Sequence, residues 1–314
     1  MKKRYLSLKP LILWQEAEHP IDWVKRFQRE ALLDVEIGFG NGEFLCKLAR
    51  SRPDRNIVGI EVSWGCVRRA LRFINREELS NVKLLLVDTR VAFELLVGPK
   101  TIQRVYSLFP MPWPKERHVR HRVFSHSFLR LVNNRLAADG EVRIITDFDP
   151  YVEWIHEQVP GTGFSMERVS ITPSFDTKYE RKWCGEGQES FTDLRLIKQE
   201  HLDFFVNKEQ PVKTYRAAAF DPSRFRPRQE RGEVVVEFKD FLYDPGQKRA
   251  MARAVVIEDD LNQNIWLAID WKESVWHIHV ASGSNVVSTV GVQRALDLAY
   301  EAVIASMPEA AEKS

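Results

Sequence analysis

Between Leu32 and Lys198, short apolar runs alternate with longer amphipathic stretches. This is the pattern of a doubly wound α/β sheet, in which buried parallel strands are joined by helices on both faces. The segments LLDVEIG, NIVGIEV, NVKLLLVD, RVYSLF and EVRIITD read as strands, with helices expected at Gly42–Arg50, Trp64–Arg76 and Val123–Leu136. FSMERVS and FTDLRLIK follow with no helical stretch between them, so they are expected to pair antiparallel as a closing hairpin. Residues Gln210–Arg231, rich in proline and arginine and without a sustained period, read as a linker. Beyond them EVVVEFKDFLY, RAMARAVVIED, QNIWLAIDW and VWHIHVAS predict a four-stranded antiparallel sheet turned by DPGQ and KES. A last helix over Val292–Met307 would bury Val292, Leu296, Ala299 and Val303 on one face. The expected organisation is an N-terminal extension (1–31), a Rossmann-like α/β domain (32–200), a basic linker (201–232) and a small α+β domain (233–314).

The chain has 314 residues, 44% of them hydrophobic, enough for one large core or two ordinary ones. A formal net charge of only +2 does not by itself announce a nucleic-acid partner, so any basic footprint has to be local. The start, MKKRYLSLKPLILW, superficially resembles a secretion signal, but Lys9 and Pro10 interrupt its apolar run. No later apolar stretch approaches the roughly 18 residues of a membrane span. Three cysteines, Cys46, Cys66 and Cys184, are odd in number and have no metal-ligand spacing, which suits a reducing compartment. A soluble cytoplasmic protein without a membrane partner is expected; monomer and homodimer both remain open.

The segment EIGFGNGEF closes the first strand and opens a helix, with Gly38, Gly40 and Gly42 at alternate positions after Glu36. Glycines allow a tight turn and close approach of backbone amides to a ligand. A dinucleotide fingerprint would place a further glycine where Glu43 stands, and Glu36 would repel a pyrophosphate. Acidic residue, then three alternate glycines, is instead the spacing of enzymes that use S-adenosylmethionine, whose sulfonium and ammonium groups are cationic. Glu61, ending the second strand, is placed to hold ribose hydroxyls, and Asp88, ending the third, an adenine amino group. Each of these residues also has an ordinary alternative: a tight turn for the glycines, a helix cap or solvated end for the acids.

After the fourth strand comes FPMPWPKERHVRHR, whose prolines should stiffen the loop that carries Trp113 and Lys115. Lys115, Arg117, Arg120, Arg122, His118 and His121 then form a cluster suited to phosphates, beside an aromatic suited to a base. A proline-stiffened surface turn leading into a solvated helix is the plainer alternative.

EIGFGNG, GIEV, FPMPWPKERH, TDF and TKYER, in this order, resemble the bacterial tRNA (guanine-N7-)-methyltransferase family, over about Leu32–Leu196. The resemblance implies a class I S-adenosylmethionine-dependent fold, tRNA as partner, and methylation of a variable-loop guanine. It implies Glu36, Glu61 and Asp88, with the glycines, as cofactor contacts, and Lys115, Asp147, Thr177, Lys178, Tyr179 and Glu180 as substrate contacts. The family has an aspartate, usually regarded as catalytic, where this chain has Met111. Asp147 and Glu180 are therefore the candidates to supply its charge. Met111 also leaves open a noncatalytic tRNA-binding homologue, and a methyltransferase acting on another RNA is a further alternative.

Two weaker signals remain. In the expected linker, Lys213, Arg216, Arg224, Arg226, Arg228 and Arg231 stand among Tyr215, Phe220 and Phe225, a mixture able to contact RNA. His277 and His279 share one strand face, but two histidines are too few to call a metal site, and none is expected. Trp266, Trp271 and Trp276 are expected to pack the small sheet.

Overall fold

The computed structural model describes residues 6–205, 210–284 and 286–307. The chain divides into two units, Met1–Val206 and Asn207–Ser314. The strands of the first unit are β1 (Leu11–Ile12), β2 (Leu33–Ile37), β3 (Asn56–Glu61), β4 (Val82–Leu86), β5 (Ile102–Leu108), β6 (Leu136–Thr146), β7 (Phe164–Ile171) and β8 (Phe191–Lys198). Its helices are α1 (Trp23–Phe27), α2 (Glu43–Ser51), α3 (Trp64–Arg76), α4 (Thr89–Val91), α5 (His126–Arg135), α6 (Asp149–Gln158) and α7 (Lys178–Gly185).

The sheet order is β1-β4-β3-β2-β5-β6-β8-β7. Neighbours from β1 to β6 run parallel, while β8 is antiparallel to both β6 and β7. Every residue of β2 is buried, as a central strand covered on both faces requires. The chain runs outward from β2 in one direction and returns to β5 on its other side. The carboxyl ends of β2 and β5 therefore flank the switch point where ligands bind in open sheets.

Of the six parallel strands, the five from β2 to β6 lie where the apolar runs predict them, and the last two strands pair antiparallel as expected. Their connection, however, contains α7. Its sequence KYERKWCG buries only Glu180, so it has no apolar stripe to reveal a helix. The structure supplies what the pattern lacks: Thr177 caps the first turn by accepting from the Glu180 amide at 3.2 Å. At the other end of the unit, Leu11 and Ile12 add an edge strand beside β4, and Trp14, Ile21 and Trp23 are buried. The segment expected as an extension is thus part of this unit's core; the basic start, residues 1–5, lies outside the described residues.

The second unit contains β9 (Tyr215–Ala217), β10 (Val234–Asp244), β11 (Arg249–Glu258), β12 (Leu261–Lys272), β13 (Val275–Val280) and α8 (Val290–Ser306). The sheet is antiparallel throughout, in the order β10-β11-β12-β13-β9. Val292, Leu296, Ala299 and Val303 of α8 are all fully buried, in one core with Ala250, Ala252 and Ala254 of β11. That row of small residues lets the helix lie close to the sheet.

The expected linker is corrected by this unit. Tyr215–Ala217 is its edge strand, Phe220 and Phe225 are core residues, and Tyr215 stacks on Tyr300 at 4.4 Å while donating to Asp297 at 2.6 Å. These aromatics are committed to packing and do not offer rings to a nucleic acid. Irregular spacing hid them, because each fills a separate slot and none belongs to a periodic face. Residues 206–209 of that expected segment lie outside the described residues. Trp276 is buried and meets Trp271 edge-on at 5.4 Å, so these two tryptophans pack the sheet as expected. His279 Nε2 sits 3.2 Å from Asp270 Oδ2.

Candidate active site

The glycine turn connects β2 to α2. Gly38, Gly40 and Gly42 have φ of +68°, +54° and +81°, the left-handed region that L side chains avoid. At Gly42 space is short as well, since a Cβ would come within 2.7 Å of Ala70 Cβ on α3. The turn is anchored from below: Phe39 is buried over Gly59 of β3, whose own Cβ would collide with that ring at 2.6 Å. The Gly38 amide donates to the Ile60 carbonyl at 2.9 Å, and the Gly40 amide donates to Glu61 Oε2 at 3.1 Å.

Glu61 therefore does more than end a strand. Its Oε1 accepts from the Val62 and Ser63 amides at 2.9 and 3.0 Å, so three of its roughly four acceptor positions already tie the glycine turn to the start of α3. Glu36 is in the opposite condition. It is 2% exposed, and its Oε2 is buried without a hydrogen-bond partner. Burial pushes its carboxyl up to about 8, and the neighbouring Glu61 charge adds to the effect. A cavity lies here, lined by Glu36, Gly38 and Gly40, by Cys66 and Arg69 of α3, by Leu108 and Phe109 at the end of β5, and by Thr177, Lys178 and Tyr179. An orphaned carboxylate oxygen beside such a cavity fits a cationic ligand and is at odds with a pyrophosphate.

The segment 177–180 reaches the cavity through a residue that sequence reasoning passed over. Glu43, the side chain that spoils the dinucleotide fingerprint, accepts the Lys178 amide at 2.6 Å and Arg181 Nη2 at 2.9 Å. It thereby joins the first turn of α2 to the first turn of α7. An acid in a helix's first turn was the only signal, and that ordinarily means favourable interaction with the helix dipole.

Glu180 is corrected by the same geometry. Its carboxylate is 3% exposed and accepts the Ser174 and Phe175 amides at 2.7 and 3.1 Å, as well as that of Asp176. Both oxygens are spent on shaping the loop before α7, so Glu180 is not the replacement for the missing aspartate. It holds Thr177, Lys178 and Tyr179 in place.

The proline loop is stiff for a reason beyond proline. Phe109 and Trp113 adopt left-handed φ of +51° and +42°, which costs roughly 1–2 kcal/mol at each such residue. Compensation comes from below. Phe109 donates to the Ile145 carbonyl at 2.7 Å and packs edge-on against Phe191 at 5.0 Å. Arg122 is 6% exposed, donates to the carbonyls of Pro112 and Trp113 at 2.8 and 3.3 Å, and lies over the Tyr151 and Trp154 rings. Arg122 thus leaves the expected phosphate cluster and becomes the loop's internal brace. Lys115, Arg117 and Arg120 are exposed, and Trp113 is flanked by the rings of His118 and His121 at 5.7 and 5.2 Å.

The remaining predicted residues do not line the cavity. Asp88 caps α4, accepting the Arg90 amide at 2.8 Å. Asp147 follows β6; burial raises its carboxyl above the usual range, while Lys182 of α7 pulls it down. Asp147 does not cap α6: Phe148 is the N-cap residue and no side chain caps it, while Thr146 Oγ1 receives the Phe148 amide at 3.2 Å. Met111 is 63% exposed on the loop.

A doubly wound sheet closed by an antiparallel pair, with a carboxylate and glycine turn at its switch point, is the architecture of a class I methyltransferase. Residues 30–192 match a family model described as a putative methyltransferase. The tRNA (guanine-N(7)-)-methyltransferase of Chlorobium phaeobacteroides is 42% identical over 171 residues, 54% of this chain and 84% of that protein. That of Aquifex aeolicus is 30% identical over 281 residues, 87% of this chain and 94% of its own length. The chain belongs to the tRNA (guanine-N(7)-)-methyltransferase family. An alignment of 281 residues is longer than the whole first unit, which ends at Val206, so the likeness to the Aquifex protein extends into the second unit. Among solved structures, the 16S rRNA methyltransferase KamB aligns with a TM-score of 0.46 at 14% identity, over 56% of this chain and 92% of that one, a likeness too distant to bear on function.

Proposed function

We propose that this protein transfers the methyl group of S-adenosylmethionine to N7 of guanine in tRNA. Family membership supports the reaction, and one observation of this chain carries the cofactor reading: the buried, unpartnered Glu36 carboxylate beside the glycine turn. Glu36 would hold a cationic amino or sulfonium group, the turn would receive the donor close to its backbone, and Tyr179 and Lys178 would close the cavity from the other side. When bound, the cofactor supplies an electrophilic methyl group and a neutral leaving group.

Guanine N7 carries a lone pair in the neutral base, so no proton has to be removed before attack. The tasks left to the protein are alignment and electric field. Lys115, at the exposed start of the basic turn, would steer phosphate. As the purine gains positive charge, a nearby carboxylate lowers the barrier, and the thioether of Met111 supplies no such charge. Asp147 is the predicted carboxylate left for that task, since Glu180 is committed to loop amides. A cytoplasmic site of action belongs to the same proposal and agrees with the free thiols of Cys46, Cys66 and Cys184.

Incubation with labelled S-adenosylmethionine and unmodified tRNA, followed by nucleoside analysis, tests the proposal. Label in N7-methylguanosine is expected. Binding of tRNA without transfer would make the protein a noncatalytic homologue, and label in another nucleoside would make it a different RNA methyltransferase.

A further inference from the structure

The thirteen residues of α3, WGCVRRALRFINR, contain four arginines and no aspartate or glutamate. Val67, Ala70, Leu71 and Ile74 bury the inner face. The outer face carries Trp64, Arg68, Arg72 and Arg76 at successive fourth positions, so they form one line along the helix. Trp64 is 44% exposed, and Arg68 and Arg72 are exposed with no acidic partner among the described residues. Arg69, one position off this line, lines the cavity together with Lys178 and Tyr179. The stripe therefore starts beside the candidate active site and leads away from it.

Such a helix works against its own stability. Arg68–Arg72 and Arg72–Arg76 are like-charge pairs four apart and Arg69–Arg72 a pair three apart, and each is unfavourable. A merely solvated face would intersperse acids among these positions, as elsewhere on this chain, whose formal net charge is only +2. Arg76 at the end of the line pairs with Glu77 at 3.3 Å, but the uncompensated guanidinium groups of Arg68 and Arg72, with an indole at the head, complement a run of phosphates with an adjacent exposed base.

We infer that the outer face of α3 is a second RNA contact surface, which binds the phosphate backbone of the tRNA whose guanine enters the cavity. The inference rests on the proposed function and adds a surface outside the proline loop and the 177–180 segment. Arg68 and Arg72 bind phosphate, and Trp64 offers its face to a base or ribose. Neither arginine touches the cavity, so cofactor affinity does not depend on them.

The test compares the full-length protein with the double variants Arg68→Gln/Arg72→Gln and Arg68→Lys/Arg72→Lys. Binding of unmodified tRNA is measured between about 50 and 200 mM salt, with calorimetry of S-adenosylhomocysteine alongside. Each phosphate contact contributes roughly 0.7 to 0.9 to the slope of log K against log salt. The glutamine variant should therefore lose about 1.5 from that slope and bind tRNA about tenfold or more weakly, with unchanged S-adenosylhomocysteine affinity. The lysine variant, which keeps the charge, should retain most of the slope. Unchanged tRNA affinity and slope in the glutamine variant, or an equal loss in the lysine variant, would overturn the inference. If the unsubstituted protein methylates tRNA while the glutamine variant binds it equally well, this surface fails and the proposed function stands. If the unsubstituted protein binds no tRNA, both fall.

Discussion

Replacing Glu36 with glutamine should make the free protein more stable above neutral pH while weakening its hold on the cofactor. The Glu36 carboxyl is buried, its Oε2 has no partner, and its affinity for a proton is raised from 4.5 to about 8. At about 1.4 kcal/mol per pH unit, keeping it ionised in the folded protein costs on the order of 5 kcal/mol above pH 8. The folded state binds this proton more tightly than the unfolded state. Its contribution to stability is thus fully present below about pH 4.5 and is lost as the pH rises towards about 8. A glutamine side chain at this position cannot ionise, so the variant should lack that decline and exceed the wild type by up to a few kcal/mol at pH 8–9. The same proton enters binding, because pairing with a cationic ligand requires the ionised carboxylate. In the wild type, S-adenosylhomocysteine affinity should rise with pH below about 8 and binding should release close to one proton. In Glu36→Gln no proton should be released, and affinity should fall by about ten- to a hundredfold, the value of one charge-assisted hydrogen bond. Urea titrations from pH 5 to 9, and calorimetry in two buffers of different ionisation enthalpy, measure both effects. A stability difference independent of pH, together with binding that releases no proton, would refute the assignment of Glu36 as the buried counter-ion.

Met111→Asp places at this exposed loop position the carboxylate that the resemblance implies there. It should raise the single-turnover methylation rate by about tenfold, less than the 10²–10³ typical of one enclosed electrostatic contact, with S-adenosylmethionine binding unaltered in calorimetry. Glu180→Gln removes the charge that gathers three loop amides. It should cost about 1.5–3 kcal/mol in urea denaturation and weaken S-adenosylhomocysteine binding through displacement of Tyr179. A variant as stable as the wild type would contradict the structural role assigned to Glu180.

Periodicity carried the fold a long way. Parallel strands buried on both faces read as short, largely apolar runs despite Asp34 and Glu36 in β2, and the α3 boundaries, Trp64–Arg76, coincide with those expected from the chain. Glycines at alternate positions after an acid marked the turn at the switch point, because backbone demand and ligand chemistry both act there on adjacent residues. The residues that escaped are those whose meaning lies in a distant partner. Nothing near Glu43 indicates that it binds the Lys178 amide 135 positions away, and nothing near Arg122 says that its guanidinium faces inward over Tyr151 and Trp154. Glu180 matched a functional motif by type and position, yet its surroundings turned it into an internal clamp. Charge alone could not separate the buried Arg122 from the exposed Arg120 two residues earlier. Local pattern reports which face of an element is apolar; whether a polar group meets solvent, a backbone amide or nothing at all depends on what long-range packing brings against it.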